Sequence, residues 1–187
     1  SGAVSRDGLR VVFTSAADNL VAGDTNGRTD VFVRNLADES TQRVSVRTDG
    51  GEANGESWTP RISGNGRFVV FVSTASNLVN QDTNASPDIF VRDLVAGTTA
   101  LVSARDGGTD VPIRNGGSVN PVISADGRLV AFEGAAVDLV PGIALAAGGS
   151  HIFLRDLQEQ RTRLLSVNLT EPFRRVEGRA RSPMISE

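Results

Sequence analysis

Apolar residues fall in short runs bounded by turn residues, and the same runs recur three times along the chain. Arg67-Phe68-Val69-Val70-Phe71-Val72-Ser73 is rich in β-branched and aromatic residues, which predicts a strand buried on both faces, with counterparts at Arg10–Phe13 and Arg128–Phe132. Asp88–Leu94 alternates apolar and polar positions in its later half and predicts a partly exposed strand, copied at Asp30–Leu36 and His151–Leu157. A third run, Thr98–Ala104, is mirrored by Thr41–Arg47 and Thr162–Asn168. The fourth is short: Pro60–Ser63, with Pro121–Ser124 and Pro183–Ser186 alongside. No segment carries a sustained helical period. Four short strands per unit, repeated, predict an all-β chain of four-stranded antiparallel blades, the pattern of a β-propeller.

The repeat is visible residue by residue. Ile62-Ser63-Gly64-Asn65-Gly66 matches Val4-Ser5-Arg6-Asp7-Gly8 and Ile123-Ser124-Ala125-Asp126-Gly127, and a fourth start appears at Met184-Ile185-Ser186-Glu187. Serine-to-serine spacings of 58, 61 and 62 residues mean an array of one supersecondary unit. The predicted blades are approximately 1–59, 60–120 and 121–182, with a further start at 183–187. Ser-x-Asp/Asn-Gly suits a tight hairpin, because the polar side chain bonds local backbone and the Gly accepts positive φ. Ala96-Gly97 makes the other short turn, replaced by Asp38-Glu39 and Glu159-Gln160 in the other copies. The connections Thr74–Pro87 and Asp106–Asn120 are long. In an up-and-down blade alternate connections lie on one side, so both long loops are expected on one face.

The string Ile-Ser-x-Asp-Gly-Arg-x-Val-x-Phe, then Asp-Ile-Phe-Val-Arg-Asp-Leu, then Thr-Thr-x-x-Val-Ser, resembles the bacterial TolB-like propeller repeat, a relative of the WD-type blade. The resemblance covers essentially the whole chain, three times over. It departs from the TolB motif in one respect: Arg6, Gly64 and Ala125 stand where that motif has Pro after the Ser. The loop Ala-x-Asn-Leu-Val-x-x-Asp-Thr-Asn fits a subgroup found in large, often secreted, bacterial proteins. The resemblance implies an extracytoplasmic setting, periplasmic or secreted. Its blades occur in scaffolds, in peptidase gating domains and in secreted proteins, so fold alone does not assign function.

Closed propellers typically have 4 to 8 blades, so three are expected to be either an excerpt of a longer array or half of a six-bladed ring completed by a homodimer. The excerpt is the favoured expectation, because a Pro-led strand at both ends gives a dimeric ring two candidates for one slot. The 187 residues carry 19 Arg, no Lys and 22 acids, a net charge of -3 that gives no general reason to expect nucleic acid. No apolar run approaches the ~20 residues of a membrane-spanning helix. The absence of Cys excludes disulfides and thiolate chemistry.

The most suggestive chemistry is Asp24-Thr25-Asn26-Gly27-Arg28-Thr29-Asp30, echoed by Asp82–Asp88. Asp24, Asn26 and Asp30, and likewise Asp82, Asn84 and Asp88, place oxygens at positions one, three and seven of a tight loop, as a calcium ion needs. The competing reading is an Asx-turn, with Asp30 and Asp88 tying the loop back at strand entry. The third copy, Gly142–His151, has none of the three oxygens. His151, the single histidine, stands at the strand-entry position of Asp30 and Asp88 and reads as a substituted loop anchor. Glu52 with Glu56, and Asp106 with Asp110, are carboxylate pairs of the kind that could serve as acid and base, with solvated loop charges as the competing reading. Trp58, read as a loop residue, could stack on a ligand or pack beneath its loop. Arg174, Arg175 and Arg179, with Arg181, crowd the last long loop and could clamp anions, although Glu171 and Glu177 lie among them.

These observations predict a non-catalytic binding or scaffold module whose working face carries the long loops, stiffened by calcium in the first two blades, with a protein or glycan ligand. The alternative is a gating or substrate-guiding domain of a larger secreted hydrolase whose catalytic residues lie elsewhere. A propeller acting on sugars would need acids or His converging on the central channel.

Overall fold

The computed structural model describes residues 2–80, 82, 84, 86–105, 116–143, 145, 149–167 and 180–185. Among these the chain is all-β, with twelve strands in three four-stranded antiparallel sheets. The first holds β1 (Gly2–Val4), β2 (Arg10–Ser15), β3 (Asp30–Asn35) and β4 (Thr41–Arg43). The second holds β5 (Ser57–Ile62), β6 (Phe68–Ser73), β7 (Asp88–Asp93) and β8 (Thr98–Leu101). The third holds β9 (Ser118–Ile123), β10 (Leu129–Gly134), β11 (His151–Asp156) and β12 (Arg161–Leu164). Each sheet is a meander in which every strand pairs with its sequence neighbour, as expected of propeller blades.

The blades stack through the side chains that the period-2 pattern sends to opposite faces. Val12, Val31, Val33 and Val44 of the first blade pack against Val69, Phe71 and Phe90 of the second. Val70, Val72, Ile89, Val91 and Val102 on its other face meet Val130, Phe132, Phe153 and Leu164 of the third. Within each blade one aromatic pair crosses the two central strands: Phe13 with Phe32, Phe71 with Phe90, and Phe132 with Phe153, at 5.7–5.9 Å between ring centroids.

Four features differ from the expectation. The inner strands begin three residues before Pro60 and Pro121, so Trp58 lies in β5 rather than in a loop. They accommodate the extra length with a bulge, marked by register shifts and by positive φ at Thr59 and Asn120, and Ser182 repeats that backbone geometry. The outer strands are shorter, because after Leu101 the chain folds inward and Ser103 Oγ accepts the Ile89 amide in place of continuing the ladder. The later half of β7 is buried, Arg92 included.

Arg92 is buried because it clamps the neighbouring blade. Its Nη1 donates to Thr99 Oγ1 (3.0 Å) and to the Arg47 carbonyl of the first blade (3.2 Å), while Thr99 Oγ1 donates to the Val46 carbonyl (2.6 Å). The third blade repeats the device with Arg155, Thr162 and the Ala104 and Arg105 carbonyls. On the side of the short turns the Ser-x-Asp/Asn-Gly hairpins link in series, with the Arg6 amide donating to the Gly64 carbonyl and the Asn65 amide to that of Ala125.

Candidate functional site on the long-loop face

The connections 16–29 and 44–56 meet on the face opposite the short turns, as the alternation of an up-and-down blade requires. In the first blade Asp24 and Asp30 converge with Asn26, and the group between them is Arg43 from the end of β4. Arg43 Nη1 lies 2.8 Å from Asp24 Oδ1, 3.6 Å from Asp30 Oδ2 and 2.8 Å from Glu52 Oε1. The guanidinium supplies the positive charge that the calcium expectation assigned to an ion. Glu52 also accepts the Thr25 amide (2.8 Å) and hydroxyl (2.7 Å); these bonds and then Arg43 hold its carboxyl at about 2.

Asn26 completes an Asx-turn: its Oδ1 accepts the Arg28 amide and its Nδ2 donates to Asp30 Oδ2 and the Ala53 carbonyl. Asp30 is fully buried, accepts Ser45 Oγ–H at 2.5 Å, and is pushed above the usual carboxylate range chiefly by burial. Its strand-entry anchor is thus a Ser–Asp latch, because Ser45 Oγ in turn accepts the Val31 amide.

The second blade repeats the latch and the turn but not the cation. Ser103 Oγ donates to Asp88 Oδ1 (2.7 Å), Asn84 Nδ2 donates to Asp88 Oδ2 (2.8 Å), and Asn84 Oδ1 accepts the Ser86 amide. Ladder register places Leu101 where the first blade has Arg43. Burial accordingly pushes Asp88 up to about 6 and raises Asp82. In the third blade His151 holds the strand-entry position, 1% exposed, with both ring nitrogens lacking a hydrogen-bond partner among the described residues. Burial lowers its pKa. Among the described residues no group of three or more His, Asp or Glu side chains is arranged to hold a metal ion.

The remaining candidates separate. Trp58, half-buried near the start of β5, packs against the apolar core between the second and third blades. Glu52 and Glu56 do not act as a pair: Glu56 accepts the Thr29 amide (2.7 Å) and lies 3.6 Å from Arg28. Arg174, Arg175 and Arg179, and the pair Asp106 and Asp110, lie outside the described residues. Two participants escaped the sequence reading, Arg43 and Ser45. Only the first left a signal, since Arg43 is a lone charge in a column otherwise filled by Leu101 and Leu164.

A second cluster links the loops of adjacent blades. The Asn54 amide donates to Asn77 Oδ1, Asn77 Nδ2 donates to the Glu52 carbonyl, and Asn54 Oδ1 accepts the Ser76 amide. These bonds tie the 44–56 connection of the first blade to the start of the long connection of the second.

No family model and no curated protein sequence matches the chain. Solved structures do. TolB from Acinetobacter baumannii is 17% identical with a TM-score of 0.51, over 88% of this chain and 31% of its own. A putative TolB from Agrobacterium tumefaciens is 15% identical with a TM-score of 0.51, over 87% and 47%. An oligogalacturonate lyase in complex with manganese is 11% identical with a TM-score of 0.52, over 87% and 38%. The chain thus spans about a third to a half of these proteins. The likeness resides in the fold, and that fold is three consecutive four-stranded blades of a β-propeller.

Proposed function

We propose that this chain is a binding and scaffold module whose ligand face is the long-loop surface, with a protein or glycan ligand in an extracytoplasmic setting. One observation carries the reading: beyond the anchors Ala53, Ala75 and Leu78 that they bury, the long connections are held in place at their polar surface by shared hydrogen bonds among Thr25, Arg43, Glu52, Asn54 and Asn77. A fixed polar surface is what a recognition face requires, since preordered loops lose little freedom on binding. Calcium belongs to this reading at the second loop, where Asp82 and Asp88 have no counterpart of Arg43; the first loop is neutralised internally.

Binding to arrayed glycans and bacterial envelope proteins is the test, with Arg28→Glu on the loop face compared with Arg67→Glu beside the short turn. Loss of binding in the first variant alone supports the reading, and equal loss in both or in neither refutes it. Calorimetric titration of chelator-stripped protein with calcium is expected to show heat that Asp82→Ala abolishes and Asp24→Ala retains. Absence of heat at millimolar calcium removes the metal from the reading and leaves the loop face.

A further inference from the structure

Successive inner strands share one irregularity, and it builds a polar cleft among them. Thr59, Asn120 and Ser182 occupy equivalent repeat positions and hold positive φ of 51°, 53° and 56°. Such backbone is strained for residues other than Gly, most of all for a β-branched Thr, and persists only where the surrounding structure maintains it. A bulge also re-aims the side chains beside it. Here Arg61, Asn120 and Ser182 come to line one cleft of about 200 Å³ with Val122 and Pro183. It adjoins a second, of about 320 Å³, which shares Arg61 and Val122 and is walled by Val4, Ile62 and Met184.

Arg61 is a lone charge in a column otherwise filled by Ala3, Val122 and Met184. It is partly buried, and among the described residues its one hydrogen bond runs from Nη1 to the carbonyl of its neighbour Pro60 (2.9 Å). Arg67 and Arg128, by contrast, pair with Asp93 and Asp156. Among the described residues no Asp or Glu lines either cleft. A guanidinium partly withdrawn from water without a counter-charge therefore keeps Nε and Nη2 for an incoming anion. Glu133, buried where the other blades have Thr14 and Val72, accepts Asn120 Nδ2 (3.0 Å) and the Ser182 amide (2.5 Å) and so positions both bulge residues. Asn120 Oδ1 and the Ser182 hydroxyl remain unbonded among the described residues.

We propose that this cleft binds a hydroxylated carboxylate, the chemistry of an acidic sugar. Arg61 takes the carboxylate through Nε and Nη2, Asn120 Oδ1 accepts a ligand hydroxyl, Ser182 Oγ bonds another, and Val122 and Pro183 meet the carbon skeleton. The groups come from β5, β9 and the segment that repeats them, not from the outward face of an end blade. The site is separate from the long-loop face and does not rest on the reading given for it.

Titration of the intact chain with glucuronate, followed by amide chemical shifts, is expected to move the signals of Arg61, Val122 and Ser182 to saturation. Arg61→Gln is expected to weaken binding about tenfold or more, as loss of a charge-assisted bidentate pair does. Arg34→Gln removes an equal charge from β3 and is expected to leave binding unchanged. Asn120→Gly, which keeps the positive φ and removes the amide, is expected to weaken glucuronate as well. Glucose and propionate offer the hydroxyls and the carboxylate separately, and each is expected to bind more weakly than glucuronate. No saturable shift at tens of millimolar overturns the site, as does unchanged affinity in an Arg61→Gln protein whose melting temperature shows it folded. Propionate or glucose binding as tightly as glucuronate overturns the assigned ligand chemistry.

Discussion

Asp88 shows how one missing cation changes a buried group. Its carboxyl is raised to about 6 by burial, from an ordinary value of 3.8 in the unfolded chain. The folded protein therefore holds this proton more tightly, and the associated stability is fully present below about pH 4 and lost as pH rises through about 6. At 1.36 kcal/mol per unit the change is at most roughly 2–3 kcal/mol. His151 works in the opposite sense, since its lowered pKa costs stability as pH falls through 6.5. Melting curves from pH 4 to 8 for Asp88→Asn against the parent chain isolate the first contribution. The variant is expected to lose the downward slope between pH 4 and 6, and an unchanged slope refutes the assignment. The anchor position of Asp30, Asp88 and His151 was legible from the repeat. The partner serines were not, because Ser45 and Ser103 sit fifteen residues away in what reads as a continuing strand.

At the scale of the element, the short turns do more than reverse the chain. Gly127 adopts φ of 80°, and a Cβ placed there would come within 2.2 Å of the Phe68 ring of the neighbouring blade. Gly8 occupies the same turn position in the first blade at φ of 73°, with nothing within 4 Å. Gly8→Ala is expected to cost about 1 kcal/mol, the left-handed backbone penalty alone, and Gly127→Ala a further 1–3 kcal/mol for the displaced ring. Denaturant unfolding of the two variants measures the difference; equal losses would mean that the turn does not bear on the neighbouring blade. The hairpins themselves are readable from Ser-x-Asp-Gly, since their chemistry is local. The bulge at Thr59 and Asn120 is not, because it answers to the partner strand: residues 59 and 60 stand opposite the single Phe71 between the Trp58↔Val72 and Arg61↔Val70 pairs, a surplus of one.

For the molecule as a whole, stability resides in the junctions, as in any array whose units contact only their neighbours. The second blade is covered on both faces and the outer two on one each, so amide exchange is expected to be slowest in β6 and β7 and faster in the equivalent pairs β2 with β3 and β10 with β11. Uniform protection across the three pairs of strands would mean that the blades unfold as one. Period, strand count and the shared side of the long loops were all carried by the sequence, because they depend on alternation and loop length alone. The burial of Arg92, in a strand expected to be partly exposed, was not legible, since only the stacked array shows the carbonyls of Val46 and Arg47 that the clamp takes up. Trp58, the lone indole, lies in the seam between the second and third blades. Its emission is therefore an optical gauge of that seam: it shifts when the third blade parts from the second, and stays silent while the first blade frays.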